Sequence, residues 1–457
     1  MLQGLLLLPI MTIIYISFAR PKFTARLWRL GVAGIVTIVS TFWWSVLVWL
    51  TPAANRPWVG STNDNSIWNL IFGYNGFGRL LGRGGGPGGG MQAGQAVSQP
   101  MPAMTPPTGM AAGGFGAGGP GGPGGVGFGG EAGVLRIFNE SFGPNIAWLI
   151  PVALISAGLV IWLLRRAPRH NHNKERIGIL LWLGWLLMHV VIFSMTSGTI
   201  HPYYVVAMAP AVAALVGIGA PYIWQAYTRR TKVAWILPLS IALTTILSII
   251  MLGYSNYWPW LMWLVMIAGG VATILTLLPL SQTRRLKQII LGLAITASMA
   301  APIVFSVSTV ATAHSGSIPT AGPGASAMSN TNNESARAES TLVSFLLENR
   351  HGTTWLATVN SANESAPIQL SSGQPVMAIG GFNGSDSTLT LSQLKQLVKQ
   401  GKVRYYVVNS RQGKSGGPSG MSGPGGNSEI LLWVKSVGSK VDYGGTQYTV
   451  YDLAVAA

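Results

Sequence analysis

Long apolar runs separated by short charged segments dominate the sequence. About eight of these runs approach or exceed the ~18 residues that indicate a membrane-spanning helix. Two fall within residues 1–50 and six within 145–306. We predict spans at about 2–18, 30–50, 145–164, 177–194, 203–223, 233–252, 259–280 and 288–306. The pattern therefore predicts a polytopic α-helical membrane protein.

The segment 51–144, between the second and third predicted spans, has a mixed pattern. A short amphipathic run near 66–80, ended by Gly73, and another at 134–143 are typical of helices that lie on a membrane surface. Between them, residues 82–130 are mainly Gly with Pro, Met and Ala. Because such a composition cannot bury a core, we expect this part to be disordered.

Beyond the last span, the pattern changes to alternating short strands and helices. Residues 307–339 are rich in Ser, Ala, Gly and Asn, and we interpret them as a linker. In 340–457 we predict helices at 340–349, 392–401 and 428–437, strands at 353–359, 375–380, 404–408 and 446–453, and a Gly/Ser insert at 412–427. This alternation predicts a small α/β domain.

Composition and charge support a membrane location. Only 9% of the 457 residues are charged, against about 25% in soluble proteins. Much of the net charge of +17 lies in every second loop between spans. We therefore predict that these loops are cytoplasmic, and we exclude a nucleic-acid partner. The expected location is the plasma membrane, in contact with its lipids, with the C-terminal domain extracytoplasmic.

The acidic residues narrow the possible functions. The chain has 12 of them, and none falls inside a predicted span. Without an intramembrane carboxylate for proton or ion coupling, a secondary transporter is disfavoured. Asp64 is a candidate for a general base because it is the only acidic residue close to the candidate phosphate site at Arg56 and Arg79. His189, inside a span, either donates to a ligand or is a neutral histidine bonded to a neighbouring helix.

Basic and aromatic residues gather at the predicted outer ends of the spans. Arg56 and Arg79 lie in the outward segment, against the usual bias of positive charge to the inside. An arginine fork suits phosphate because it bonds two oxygens at once, but contact with lipid headgroups is an equal alternative. In HPYY, His201, Tyr203 and Tyr204 would face a headgroup or form an ordinary aromatic belt.

A second candidate site lies in the C-terminal domain. GGFNGSD follows a predicted strand, and Gly381, Asn383 and Asp386 could hold a ligand at the carboxyl edge of the sheet. A structural turn is the alternative, since no GxGxxG pattern is present. We assign no metal ligands, and the requirement for a divalent metal stays open.

Several segments together resemble bacterial proteins of glycosyltransferase family 39. Five segments carry the resemblance. One is the Gly-rich stretch, and the other four are RPWVGSTNDNSIWNLIFGYNGFGRL, VLRIFNESFGPNIAWLIP, HPYYVVAMAPAVAALVGIG and PVMAIGGFNGSDSTLTLSQL. More closely, they are similar to mannosyltransferases of the YkcA/YkcB type, relatives of the protein O-mannosyltransferases and of the lipid A aminoarabinose transferase. The resemblance covers essentially the whole chain. It implies the GT-C fold and a hexosyltransferase that moves a sugar from a polyprenyl-phosphate donor to an acceptor on the outer face.

The resemblance also implies roles for individual residues. The donor phosphate of the family lies at the outer interface, where we place Arg56, Arg79, His201, Tyr203 and Tyr204. Family members carry catalytic carboxylates in an earlier outer loop and have further spans before the region matched here. We therefore expect the C-terminal part of such a transferase, with weak or no activity alone: either a truncated gene product or one half of a split enzyme whose N-terminal half is encoded separately. The alternative is a non-catalytic membrane scaffold or glycan-binding protein with an outer α/β domain.

Overall fold

The chain divides into two compact units. The membrane unit comprises 1–56, 79–82 and 127–338, and the C-terminal unit comprises 57–78, 83–126 and 339–457. The computed structural model describes residues 2–53, 55–62, 64–79, 129–165, 173–197, 200–255, 257–278, 283–312, 321–323, 340–382, 384–409 and 427–454. Nearly all of the Gly-rich stretch, most of the linker, nearly all of the 412–427 insert and Asn383 lie outside these ranges.

In the described part of the chain, seven helices are long and apolar enough to cross a membrane. They are Phe23–Leu50 (α3), Gly143–Leu164, Asn173–Met195 (α6), Pro202–Thr228, Ile236–Gly253 (α8), Pro259–Leu277 (α9) and Arg284–Ala311 (α10). The second contains α4 (Gly143–Ile146), a 3-10 turn and α5 (Ile150–Leu164), and the fourth contains a 3-10 helix (Pro202–Met208) and α7 (Ala209–Thr228). The predicted polytopic membrane fold is confirmed.

The start of the chain differs from the predicted first span. It forms two shorter helices, α1 (Leu2–Leu5) and α2 (Leu8–Phe18). Pro9 lies in the first turn of α2, where it supplies no backbone N–H to continue a helix from α1. At 11 residues, α2 is shorter than the ~20 residues that cross a bilayer.

The helix α3 presents its large side chains outward, as is typical of a helix that faces lipid. Trp28 is 74% exposed and Ile35 is 65% exposed. In water, so much exposed apolar surface would be unfavourable, whereas hydrocarbon covers it without penalty. The hydroxyls of Thr37 and Ser40 donate to carbonyls one turn earlier, at 2.8 and 2.7 Å. These polar groups are therefore satisfied within the helix.

The core of the membrane unit gathers side chains from α5, α6, the fourth long helix and α10. Leu186, Met208 and Leu215 are fully buried. Trp148 packs against Phe305 with ring centroids 5.5 Å apart. On the other side of the bundle, α9 packs against both α8 and α10.

His189 is part of this core and is only 2% exposed. Its Nδ1 lies 2.9 Å from the carbonyl oxygen of Trp185, and its ring packs between Trp185 and Phe193. The histidine is therefore satisfied by its own helix. This supports the structural interpretation over the ligand-binding one, with a partner on the same helix rather than on a neighbouring one.

The two short helices predicted in 51–144 take different forms in the structure. A π-helix, Asn69–Gly78, passes through Gly73 and kinks only at Gly76 (φ −106°, ψ −109°), so the predicted end at Gly73 is wrong. In 134–143 the structure has only a 3-10 turn, Arg136–Phe138, and the side chain of Phe142 is fully buried in the membrane unit. Ile137 and Phe142 therefore pack into the protein, whereas Val134 and Leu135 are more than 70% exposed, and the predicted surface helix does not form.

The C-terminal unit contains a five-stranded mixed sheet of order β2-β1-β3-β5-β4. The strands are β1 (Ala357–Val359), β2 (Val376–Ala378), β3 (Tyr405–Asn409), β4 (Ser439–Val441) and β5 (Tyr448–Asp452). The helices are α11 (Ser340–Glu348), α12 (Ala362–Ser372), α13 (Leu391–Lys399) and α14 (Asn427–Val437). β1 is parallel to β2 and β3, and β5 is antiparallel to β3 and β4. The predicted α/β domain is confirmed.

Candidate functional site

The aromatic residues of HPYY come together at the start of the fourth long apolar helix. His201 has an extended backbone, and Pro202 opens the 3-10 helix, because its fixed φ and missing N–H suit a first helical position. The imidazole of His201 stacks on the ring of Tyr203, with centroids 5.4 Å apart. Tyr204 meets both rings edge-on, at 5.5 and 4.8 Å.

Arg79 joins these rings from a position 125 residues earlier in the chain. Its guanidinium donates a hydrogen bond to the hydroxyl of Tyr204, and its Cζ lies 5.9 Å from the centre of that ring. Both contacts lie within the membrane unit. The structure thus brings together four of the five residues predicted to bind the donor. We call Arg79, His201, Tyr203 and Tyr204 the Arg79 cluster.

The electrostatics of the Arg79 cluster favour anion binding over proton transfer. Burial lowers the pKa of His201, and the positive charge of Arg79 lowers it further. The imidazole is therefore neutral near pH 7, and the positive charge lies on Arg79. Tyr203 remains 37% exposed. A guanidinium, two phenols and a neutral imidazole offer several hydrogen-bond donors to an anionic oxygen.

The contacts of Arg56 lie at a helix end. Its Nη1 lies 3.4 Å from the carbonyl oxygen of Val48, in the last turn of α3. A cation at that position is favourable because the last carbonyls of a helix carry partial negative charge. Its buried Nε has no hydrogen-bond partner among the described residues. In the structure, Arg56 interacts with the carbonyl end of α3. Its role in donor binding stays a prediction.

The carboxylate of Asp64 orders the turn before the π-helix. It accepts hydrogen bonds from the backbone N–H of Ser66 at 3.1 Å and from Nδ2 of Asn69 at 3.3 Å. Short polar side chains commonly stabilise turns in this way. Asp64 is exposed and belongs to the C-terminal unit. Its role as a general base stays a prediction. No group of three or more His, Asp or Glu side chains suited to a metal ion occurs within the described ranges.

Arg136 has a structural role that its sequence context does not indicate. It is 4% exposed, and its guanidinium donates to the carbonyl oxygens of Gly129 at 3.1 Å and Thr196 at 2.5 Å. Thr196 directly follows α6. Burial lowers the pKa of Arg136. Arg136 therefore anchors the end of α6, a few residues before the HPYY segment.

The turn that contains Gly381 and Asp386 is packed against its own side chains. Gly381 has φ +68°, and a Cβ at that position would collide with the carboxylate of Asp386. The glycine is therefore required by backbone conformation and close packing. Asp386 is 4% exposed, and its carboxylate accepts a hydrogen bond from the backbone of Ser61. These contacts support the structural turn that we kept as the alternative to a ligand loop.

A separate groove of about 490 Å³ lies between α13 and α14. Its lining combines an aromatic ring with amines, an amide and a hydroxyl: Ser392, Lys395, Gln396, Lys399, Trp433 and Val437. Nζ of Lys395 lies 5.5 Å from the centre of the Trp433 ring. The groove is shallow and largely open to solvent.

The apolar helices, the mixed sheet and the Arg79 cluster define a polytopic membrane protein with a basic, aromatic site at one end of an apolar helix. The family profile described as "Putative mannosyltransferase YkcB-like, C-terminal" matches residues 342–437. The chain is 31% identical over 499 residues to "Putative mannosyltransferase YkcB" of Bacillus subtilis strain 168, an alignment that covers 96% of this chain and 68% of the relative. It is 28% identical over 493 residues to "Putative mannosyltransferase YycA" of the same organism, with 96% and 69% covered.

The chain therefore belongs to the family of YkcB-like mannosyltransferases, and at family level it is a membrane glycosyltransferase. This confirms the resemblance found from the sequence. No solved structure gives a significant match to the chain.

Proposed function

We propose that the chain binds a polyprenyl-phosphate-linked mannose through the Arg79 cluster. The bound sugar is then transferred to an acceptor on the outer face of the membrane. The family membership supports sugar transfer, and the seven apolar helices support a lipid-borne donor. The observation that carries the donor assignment is the hydrogen bond from Arg79 to Tyr204, whose ring meets His201 edge-on where His201 stacks on Tyr203.

The chemistry of such a donor matches the cluster. A polyprenyl-phosphate sugar has one anionic phosphate between an apolar chain and a polar sugar. The Arg79 guanidinium can bond two phosphate oxygens at once. The phenol groups and the neutral imidazole can bond the sugar hydroxyls. Val206, four residues after Pro202 in the same helix, is 68% exposed and gives the lipid chain an apolar surface.

The charge pattern supports the outer face as the side of transfer. The fourth long helix carries the Arg79 cluster at its start and ends before Arg229, Arg230 and Lys232. Basic loops are retained on the cytoplasmic side of a membrane. If this end of the helix is cytoplasmic, the end that carries His201 faces outward.

The test of the proposed site is equilibrium binding of a short-chain polyprenyl-phosphate mannose to the full chain in detergent. Arg79→Ala removes the only charged member of the cluster. We expect about a 10–100-fold weaker affinity, the range for losing hydrogen bonds to a charged group. Arg229→Ala is the matched control, since it removes an arginine from the other end of the same helix. Equal affinity of the two variants would contradict the proposed site.

Glycan binding without transfer is the second candidate function. The groove beside Trp433 favours it, because its aromatic ring and polar groups suit a sugar. In that case a lipid-free oligomannoside would bind the full chain, Trp433→Ala would abolish the binding, and Arg79→Ala would not change it. The lipid-linked donor would then bind no more tightly than the lipid-free sugar.

A further inference from the structure

Residues 133–142 join the ends of two membrane helices. The backbone N–H of Gly133 donates to the carbonyl of Ser194 at 2.8 Å, in the last turn of α6. The hydroxyl of Tyr254, directly after α8, donates to the carbonyl of Phe138 at 3.0 Å. The 3-10 turn within this segment also packs against α6. We call residues 133–142 the strap.

Arg136 lies near the middle of the strap and carries a buried charge. It is 4% exposed, and no Asp or Glu within the described ranges forms an ion pair with it. A buried charge without a counter-ion is unfavourable unless polar groups replace its hydration. Here backbone carbonyls replace it: Nη1 donates to Thr196 at 2.5 Å and Nε donates to Gly129 at 3.1 Å. Its Cζ also lies 5.5 Å from the centre of the Phe142 ring.

The contact with Thr196 holds the chain where it leaves α6. Thr196 directly follows the last residue of the helix. The carbonyls at this end carry partial negative charge and lack partners within the helix, so a cation is favourable there. Only residues 197–200 separate Thr196 from His201. Fixing the carbonyl of Thr196 therefore restricts the place at which the HPYY segment begins.

The strap also supports HPYY from its other side. The last residue of the strap, Phe142, is fully buried and leads into α4, which packs against the 3-10 helix Pro202–Met208. Val205 and Met208 of that helix are fully buried in the same core as Phe142. The HPYY segment thus contacts the strap and follows the end of α6, and Arg136 connects these two supports. All of these contacts lie within the membrane unit.

We infer that Arg136 is a positioning residue for donor binding: by joining the strap to the end of α6, it fixes the segment that presents His201, Tyr203 and Tyr204 to Arg79. This inference rests on the proposed function of the Arg79 cluster. It gives the buried arginine a role at a site whose ligand it does not touch.

The experiment measures the affinity of the full chain in detergent for short-chain polyprenyl-phosphate mannose, together with hydrogen exchange of the amides in 201–208. Arg136→Met removes the guanidinium but keeps apolar bulk, and Arg136→Lys keeps a charged donor for the carbonyl of Thr196. Arg176→Met is the matched control. Arg176 donates to the carbonyl of Leu164 at the end of α5 and lies at the other end of α6, about 30 Å from Thr196.

We expect Arg136→Met to bind the donor about 10-fold more weakly and its amides in 201–208 to exchange faster, because donor binding must then order a segment that has lost its restraint. Arg136→Lys should restore most of the affinity, to about 2–3-fold below the natural chain, because an ammonium replaces one of the two carbonyl contacts but not the fork. Arg176→Met should lower the melting temperature and leave both donor affinity and exchange in 201–208 unchanged.

Three results would overturn the inference. One is unchanged donor affinity in Arg136→Met, and another is an equal loss of affinity in Arg176→Met, since general destabilisation would then be the cause. If Arg136→Met does not fold, Arg136→Lys decides, and natural affinity with natural exchange in 201–208 would count against the inference. Failure of the natural chain to bind the donor would instead overturn the proposed function.

Discussion

His201 illustrates how surroundings decide the role of a single residue. Its ring packs against two tyrosine rings that also contact each other, and both burial and the charge of Arg79 lower its pKa. A histidine with this environment remains neutral near pH 7. It can donate or accept a hydrogen bond, but it does not add to the positive charge of the site.

The lowered pKa of His201 predicts how stability changes with pH. In the unfolded chain a histidine takes up a proton near pH 6.5, whereas in the folded protein it does so at a lower pH. Its contribution is therefore complete above about pH 6.5 and is lost as the pH falls towards the folded pKa. We expect the melting temperature of the full chain to fall between pH 7.5 and 5.5, and to fall less in His201→Gln. A larger fall in the variant would contradict the assignment.

At the scale of secondary structure elements, two helices of the C-terminal domain begin with the same capping box. In α12, Ser361 and Glu364 bond each other's backbone N–H groups, and in α13 Thr390 and Gln393 do the same. The two boxes differ in burial, since Ser361 is 5% exposed and Thr390 is exposed. The carboxylate of Glu364 also accepts the N–H of the residue after β1, at 3.0 Å.

This difference predicts unequal effects of removing the caps. Ser361→Ala should lower the free energy of local opening by about 1–2 kcal/mol, and Thr390→Ala by about 0.5–1 kcal/mol. The reason is that the buried cap leaves an N–H group that water does not readily reach. Hydrogen exchange of the amides in α12 and α13, followed by mass spectrometry in the full chain, measures both. A greater loss in Thr390→Ala would refute this ordering.

The elements that the sequence predicts best are those with a strong local pattern. Seven long helices follow from apolar runs of sufficient length, and α13 follows from its apolar periodicity. α12 is missed because ANESAPIQLSS is largely polar and contains Pro367. Its capping box was the one signal that could have located it. β4 is missed because three residues, SKV, carry no periodicity.

The candidate site is predictable only in part, because some of its contacts have no local sequence pattern. The residue types of the Arg79 cluster suit a phosphate, and their place at a span end follows from the hydropathy pattern. The pairing of Ser61 with Asp386 spans 325 residues. Such a contact depends on tertiary packing, and no local pattern in either segment reveals it. The burial of Arg136 is hidden in the same way, because its partners are backbone carbonyls.

At the scale of the whole molecule, the order of the chain interleaves the two units. The membrane unit contains Arg56 and Arg79, while residues 57–78 between them belong to the C-terminal unit. Within the C-terminal unit, the hydrogen bond from the backbone N–H of Ser61 to Asp386 ties residues 57–78 to the α/β domain.

The orientation that we propose for the molecule rests on the charge of its loops. Basic residues end the fourth long helix, at Arg229 and Arg230, and begin α10, at Arg284 and Arg285. If these ends are cytoplasmic, as we propose, the ends that lead to the Arg79 cluster and to the C-terminal domain face outward. The donor-binding site and the side of the membrane on which it lies are two parts of one proposal. A single labelling experiment can test both.

That measurement is photo-labelling of the full chain in sealed right-side-out vesicles. The probe is a membrane-impermeant, short-chain polyprenyl-phosphate mannose with a photoreactive group on the sugar, added only from outside, and labelled peptides are mapped by mass spectrometry. The account predicts label within residues 201–204 or at Arg79, and loss of that label in Arg79→Ala. Label that appears only when the probe is enclosed in the vesicles, or that spares these residues altogether, would contradict it.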